Sequence, residues 1–146
     1  MTIRKMTIDD YDAVYRLWRN TPGMGLNTAD DSREGIAAYL ERNPNTCFVT
    51  ELDHEMAGVI LAGHDGRRGF IYHLAVFGLH RKKGIGSALV ERAMAALEHE
   101  GIRKVALVVF DRNEIGNAFW QKHGFVKRDD LTYRNKSLVE LTRIDT

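Results

Sequence analysis

The stretch Arg81-Lys82-Lys83-Gly84-Ile85-Gly86-Ser87 decides the fold class of this chain. It lies between an apolar run over residues 70–77 and an amphipathic run that predicts a helix. Two glycines at a strand-to-helix turn let the backbone approach a ligand closely, and the N–H groups that open the helix favour an anion. The basic side chains add positive charge. The stretch therefore predicts a turn that binds phosphate and suits a pyrophosphate.

Other interpretations of this turn remain open. The Walker pattern is absent, because no Gly-Lys-Ser/Thr follows four intervening residues. A dinucleotide fingerprint needs a third small residue where the chain has Leu89, although Asp111 ends the next predicted strand, where a ribose-binding acid would sit. A nicotinamide-binding oxidoreductase thus stays an alternative. The third interpretation is a tight turn with a solvated basic face.

The sequence on either side of the turn predicts the remaining elements. Acidic residues three positions after Thr7 and Asp31 predict two capped helices, and Asp65-Gly66 predicts a hairpin. The strand–helix–strand unit around the turn is long enough to require parallel pairing. We therefore expect an α/β fold with a mixed, mostly antiparallel central sheet and helices on both faces. The predicted strands are residues 2–4, 47–52, 56–62, 70–77, 104–110, 125–126 and 138–141.

Composition sets limits on the class of protein. The chain has 146 residues, so we expect one domain over residues 1–146. A formal net charge of +1 argues against nucleic acid or an anionic membrane as partner. One cysteine, Cys47, excludes an internal disulfide, and we expect it to be a small buried residue. No apolar segment suits a signal peptide or a membrane span, so the expected location is cytoplasmic.

Two segments of the chain resemble the signatures of the GNAT superfamily of N-acetyltransferases. The first is His73-Leu74-Ala75-Val76 with Arg81-x-x-Gly84-x-Gly86-Ser87-Ala88-Leu89, which is similar to the family's acetyl-CoA signature. The second is Asn113-x-x-x-x-Ala118-Phe119-Trp120-x-x-x-Gly124-Phe125. One predicted helix and one predicted strand separate them, as in the family. The resemblance implies transfer of an acetyl group from acetyl-CoA to a primary amine by direct attack.

The resemblance also implies how acetyl-CoA is held. Its pantetheine arm would lie between two splayed parallel strands, here residues 70–77 and 104–110. The backbones of Leu74 and Val76 would bond the arm, and the Leu74 amide would polarise the thioester carbonyl. The Asn113 side chain would also bond the arm. The pyrophosphate would take backbone N–H groups of Lys82, Gly84, Gly86 and Ser87, with Arg81 nearby.

The base and acid do not follow from the resemblance. Some members have a glutamate early in the strand before the glycine turn, where this chain has Phe70. His73 is our candidate base, and a purely structural histidine is the alternative. Alternation places Tyr72 and His73 on opposite faces, so His73 reaches the amine only if the strand is bulged or a water bridges. Trp120 stands where many members have a tyrosine acid, and an indole cannot deliver a proton. Water or Tyr133 would then protonate the thiolate, and Trp120 would wall the thiol end of the pocket.

Several features keep a structural interpretation beside the functional one. Asp30 and Asp31 could attract a cationic amine, although Asp31 and Glu34 are expected to cap a helix. The other five histidines have no metal-ligand spacing, so we predict no metal. A catalytically silent acyl-CoA-binding or sensing module remains an alternative to an enzyme. The acceptor is expected to be a small-molecule or peptide amine, and a homodimer stays open.

Overall fold

The computed structural model describes residues 1–144. A five-stranded sheet with the order β1-β3-β4-β5-β6 forms its centre, and β2 pairs with β7 apart from it. All neighbours in the large sheet are antiparallel except β5 and β6, which are parallel. Two short 3-10 helices, Ile8–Asp10 and Gly78–His80, precede α1 and α3. The elements are β1 (Thr2–Lys5), α1 (Tyr11–Arg19), β2 (Leu26–Asn27), α2 (Arg33–Arg42), β3 (Phe48–Leu52), β4 (Glu55–His64), β5 (Gly69–Val76), α3 (Ile85–His99), β6 (Val105–Ala106), α4 (Glu114–Lys122) and β7 (Arg143–Ile144).

Helices cover both faces of the sheet, as the sequence predicts. One core lies between the sheet and α1 with α2, and Trp18 and Ile36 are almost fully buried in it. The other lies under α3, where Leu89 and Leu97 are fully buried. Each face of the sheet thus buries its own set of apolar side chains, which is the main favourable term in folding.

The parallel pair β5–β6 separates after only two residue pairs. Gly69 pairs with Val105 and Phe70 with Ala106, and no further pairing follows. The predicted strand over residues 104–110 is therefore paired only at Val105–Ala106, and it is not buried on both faces, since Val108 is 57% exposed. Its apolar residues line one wall of a gap and are not enclosed within the sheet. The splayed parallel pair that the resemblance implies is present.

A β-bulge interrupts β5 at Tyr72. Leu61 of β4 pairs with His73, whereas the next residue, Ala62, pairs with Ile71, so Tyr72 has no partner of its own. An extra residue reverses the alternation of faces beyond it. Tyr72 contacts Tyr39 of α2 and His73 contacts Trp18 of α1, so both side chains face the layer formed by these helices. The expectation that Tyr72 and His73 face opposite ways was wrong, because the bulge between them places both side chains on the same face.

The predicted strands at residues 125–126 and 138–141 are absent, so these two predictions were wrong. Residues 125–142 form no paired strand, and Leu138 is 93% exposed. Only Arg143–Ile144 pairs, with Leu26–Asn27. Apolar, β-prone runs form strands only where a partner edge meets them, and pairing over such distances leaves no local signal.

Local signals for helix and turn boundaries held, with one exception. Gly101 and Gly124 follow α3 and α4 with φ of 86°, the left-handed conformation that ends a helix. The cap of α2 is Ser32, whose hydroxyl accepts the N–H of Gly35 at 3.0 Å. The interpretation of Asp31 as the cap was therefore wrong. Asp31 is instead buried, with 4% of its surface exposed.

Gly35→Ala tests the packing of α2 under the loop that carries Asp31. A Cβ at Gly35 would collide with the backbone carbonyl oxygens of Ala29 and Asp30. Helix propensity alone favours alanine by about 1 kcal/mol, but we expect the overpacking to win and to lower the free energy of unfolding by about 1–3 kcal/mol. Urea unfolding measures it. Gly78→Ala is the control, since its Cβ meets nothing within 4 Å. Equal stability of both variants would contradict the packing argument.

Candidate active site

A cavity of about 1660 Å³ opens where β5 and β6 separate. It extends from the turn before α3, past β5 and residues 107–110, to α2 and the loop before it. Basic side chains line the end near α3, and carboxylates line the end near α2. Those basic residues are Arg81, Lys82 and Lys122, and the carboxylates are Asp30 and Asp31. The two ends thus suit ligands of opposite charge.

The turn before α3 presents unpaired backbone donors to the cavity. Lys82 and Gly84 have φ of 63° and 79°, so the chain turns through the left-handed region twice before the helix. The first helical hydrogen bond runs from the Ala88 N–H to the Gly84 carbonyl at 3.0 Å. The N–H groups between these two residues have no acceptor in the helix, and the positive end of the helix dipole adds to their attraction for an anion.

Gly86 and Ser87 pack against α4. A Cβ on Gly86 would lie 3.4 Å from the Phe119 ring and 3.7 Å from Val76 Cγ2, so this glycine permits close packing of two helices beside the strand. The Ser87 hydroxyl lies 2.9 Å from Nε2 of His123, at the end of α4. Nothing in the sequence indicates this contact, because it joins residues 36 positions apart.

The backbone of β5 offers its free edge to the gap. The Phe77 N–H donates to the carbonyl of Ala57 in β4 at 2.8 Å. Backbone groups alternate in direction along a strand, so those of Leu74 and Val76 point away from β4. The Val76 carbonyl accepts from Arg81 Nε at 3.3 Å, consistent with that direction. Beyond Phe70, no β6 residue pairs with this edge.

Asn113 and Trp120 lie on the α4 side of the cavity. The Asn113 side chain caps α4 by accepting the Gly116 N–H at 2.9 Å, which commits its oxygen and leaves its amide NH₂ as donor. The Trp120 ring packs edge-on against Phe119 and Phe125, at centroid distances of 5.0 and 5.1 Å. It is half-buried and lines the cavity, so it is both a packing residue and a wall.

A buried hydrogen-bonding contact joins His73 to Asp31. Nε2 of His73 lies 2.8 Å from Oδ1 of Asp31, and the two side chains are 9% and 5% exposed. Nδ1 of His73 is buried with no hydrogen-bond partner among the described residues. The ring of Trp18 stands edge-on to the imidazole at 4.9 Å. Sequence reasoning named His73 and Asp31 separately, but nothing in the sequence links positions 42 residues apart.

Aromatic rings surround this end of the cavity. Tyr72 contacts Tyr39 at 5.7 Å and Phe70 at 4.6 Å between ring centroids. Desolvation raises the pKa of both tyrosine hydroxyls above the usual value, most strongly for Tyr39. Tyr133, from the irregular C-terminal segment, also lines the cavity and is 68% exposed. The sequence analysis did not single out Tyr39, because its spacing is that of an ordinary apolar helix face.

Cys47 lies outside the cavity lining. It is fully buried directly before β3, and its thiol contacts the Ala62 carbonyl at 3.2 Å. Burial raises the pKa of the Cys47 thiol to about 12, so the thiol stays protonated at neutral pH. Within residues 1–144, no three His, Cys, Asp or Glu side chains are grouped to hold a metal ion, and no helix is long and apolar enough to cross a membrane.

The chain belongs to the acetyltransferase (GNAT) family, whose profile it matches over residues 11–125. The protein is thus an acetyltransferase enzyme, and the splayed strands, the glycine turn and the cavity between them form its candidate active site. Members of this family use acetyl-CoA, which is the acetyl donor here. The fit is good: unpaired N–H groups and basic side chains suit a pyrophosphate, and the open edge of β5 suits an amide-bearing arm.

The chain is similar to proteins of the same length. Acetyltransferase SG1711 from Sodalis glossinidius is 31% identical over 140 residues, which cover 96% of this chain and 97% of that protein. Ard1 from Thermoplasma volcanium is 25% identical with a TM-score of 0.75, covering 86% and 82% of the two chains. The PaiA N-acetyltransferase from Thermoplasma acidophilum in complex with coenzyme A has a TM-score of 0.76 at 18% identity, covering 99% and 98%.

Gly84→Ala tests the turn as the anion site. Open space surrounds the Gly84 Cβ position, but a φ of 79° costs an L-residue about 1–2 kcal/mol. We expect the turn to relax, misplace its N–H groups and weaken coenzyme A binding about tenfold, which calorimetry measures. Gly78→Ala, three residues before Arg81, is the matched control and should bind as the unaltered protein does. An unchanged dissociation constant in Gly84→Ala would contradict the assignment.

Proposed function

We propose that the protein is an N-acetyltransferase that moves the acetyl group of acetyl-CoA to a primary amine by direct attack, and that residues 1–146 form one such domain. The buried His73–Asp31 contact carries this proposal. It lines the same cavity as the anion-binding turn, at the opposite end. A base and an acetyl donor can therefore meet in one enclosed space.

His73 is the proposed general base. An alkylammonium has a pKa near ~10, so most of the amine is protonated at neutral pH and lacks the lone pair that attacks. His73 takes one proton from the ammonium, and the freed nitrogen attacks the thioester carbon. The C–N bond forms as the C–S bond breaks, the electron pair of the C–S bond leaves with sulfur, and the second nitrogen proton passes to solvent as the amide forms. The bulge at Tyr72 supports this assignment, because a bulged strand was one of the two ways in which His73 could reach the amine.

The departing thiolate needs a proton, and Tyr133 is the proposed donor. It lines the cavity, carries a phenol and approaches Tyr72. Trp120 occupies the α4 position but has only an indole N–H, which is too weak an acid. Its proposed role is to wall the thiol end of the cavity. The Leu74 amide, which points into the gap, is the proposed donor to the thioester oxygen.

The acetyl donor would be held by the turn and by both edges of the gap. Backbone N–H groups of Lys82, Gly84, Gly86 and Ser87 would bind the pyrophosphate, with the Arg81 guanidinium beside them. The backbone of Val76 and the free amide NH₂ of Asn113 would bond the pantetheine arm. These assignments rest on the family resemblance and on the unpaired donors around the cavity.

The acceptor is proposed to be a small-molecule or peptide amine. Carboxylates at the α2 end favour a cation there, and the rings of Tyr39, Phe70 and Tyr72 add faces that attract alkylammonium groups. Nucleic acid and membrane partners are not proposed, given the balanced charge of the chain. A cytoplasmic location and a homodimer also stay proposals from the sequence.

An acetyl-transfer assay over a panel of amines tests the function. A thiol reagent that reports free coenzyme A suits this protein, because the one cysteine is buried and protonated. Release of coenzyme A that depends on one class of amine supports the enzyme, and mass spectrometry should show that amine acetylated. Tight acetyl-CoA binding with no turnover on any amine would instead indicate the silent acyl-CoA-binding module.

His73→Gln removes the proposed base while keeping a polar side chain of similar size. We expect kcat to fall by about 10²–10⁴, with the acetyl-CoA dissociation constant unchanged, because proton removal is lost and the anion turn is untouched. The fall of kcat/KM on the acid side of the pH profile should also become shallower. If His73→Gln keeps the wild-type kcat and loses only thermal stability, His73 is structural.

Tyr133→Phe and Trp120→Phe separate the two candidates on the thiol side. Tyr133→Phe removes one oxygen from an exposed ring, so the fold should persist while kcat falls by about 10²-fold or more. Trp120→Phe keeps an aromatic wall and should retain most of kcat. Steady-state kinetics at saturating acetyl-CoA measure both. The reverse order of effects would show that Tyr133 is not the acid.

A further inference from the structure

Three hydrogen bonds hold Asp31 in place. Its backbone carbonyl accepts from the Tyr11 hydroxyl at 2.6 Å. Its Oδ2 accepts the backbone N–H of Asn27 at 2.9 Å, and its Oδ1 faces Nε2 of His73 at 2.8 Å. Only 5% of the side chain is exposed, and each carboxylate oxygen has one fixed partner. A carboxylate held in this way has no freedom to rotate towards another donor.

The chemistry of this contact determines which histidine nitrogen carries the proton. An ionised carboxylate only accepts hydrogen bonds, so the Nε2 that faces it must be the N–H. In the neutral ring, Nδ1 then holds the lone pair. Nδ1 is the atom that is buried without a partner, so an acceptor amine reaches it only by displacing the side chains that cover it. The Trp18 ring, 4.9 Å away, blocks one side of the imidazole and opposes a ring flip.

We propose that Asp31 is a positioning residue that fixes the Nε2–H tautomer of His73, so that Nδ1 accepts the proton of the acceptor amine. This rests on the proposed function, because it assigns the atom through which His73 acts. When Nδ1 takes the proton, the ring becomes an imidazolium and Asp31 stabilises its charge without being protonated itself. The proton moves from amine nitrogen to Nδ1, and no other reactant is needed.

The wild-type protein offers the first test, because it requires no variant to fold. Nitrogen-15 NMR of uniformly labelled protein, above about pH 8 where free imidazole is neutral, distinguishes protonated from unprotonated ring nitrogens. With the ring assigned through its bonds to the His73 backbone, we expect Nε2 protonated and Nδ1 unprotonated. A protonated Nδ1 beside an unprotonated Nε2 overturns the proposal.

Asp31→Asn is the second test, and its outcome follows from the bond to Asn27. The Asn27 N–H needs an acceptor, so the new amide oxygen must face it and the NH₂ must face His73. Nε2 then has to accept, which moves the ring proton to Nδ1 and removes the lone pair from the reactive side. We expect kcat to fall at least about a hundredfold, KM for acetyl-CoA to stay within twofold, and the NMR tautomer to reverse.

Asp12→Asn is the matched control. It makes the same chemical change on α1, where Asp12 is 78% exposed and pairs with Arg33 at 3.2 Å, outside the cavity lining. We expect wild-type kcat from it. A folded Asp31→Asn that keeps wild-type kcat overturns the positioning role. If the wild-type tautomer is as expected but His73→Gln keeps kcat, the base function fails and the Asp31 contact is structural, so the two failures are distinguishable.

Discussion

The separation of β5 from β6 is the constraint on which the site depends. Pairing stops after Phe70 and Ala106, so two strand edges face each other without closing the sheet. Buried backbone donors and acceptors left without partners cost free energy. A ligand with amides along an extended chain can supply those partners, which an ordinary apolar ligand cannot. The gap thus suits a pantetheine-like arm through its backbone groups, largely independently of side chains.

The bulge at Tyr72 adapts the same strand to a second task. Below it, Ile71 packs into the core under α3; above it, His73 faces α1 and α2. In a regular strand without the bulge, Ile71 and His73 would lie on the same face, so either Ile71 would leave its core or His73 would turn away from Asp31. One strand therefore presents a free backbone edge to the gap and a titratable side chain to the layer of α1. Bulges are frequent beside active sites because they redirect one side chain without moving the sheet.

Local chemistry explains which features the sequence predicted well. The glycine turn, the hairpin at Asp65 and the end of α2 at Asn43 are each determined within a few residues. The contact between His73 and Asp31 is not, because it requires a bulge and a loop to meet in three dimensions. Asp31, three positions before Glu34, matched the sequence pattern of a helix cap. The group that accepts the Gly35 N–H is instead the Ser32 hydroxyl. The strands predicted at residues 125–126 and 138–141 are absent for the same reason, because strand pairing requires a partner edge that is distant in sequence.

A net charge of +1 conceals a strong division of charge inside the cavity. Arg81 and Lys82 stand at the end that would hold an anionic donor, and Asp30 and Asp31 at the end where a cationic amine would enter. Composition counts charges but not their positions, so it excluded polyanionic partners and said nothing of this gradient. The gradient also limits the base: near Asp31, a second carboxylate would repel the first, whereas an imidazole is attracted to it. A neutral base paired with one buried carboxylate is therefore the arrangement that this end of the cavity can hold.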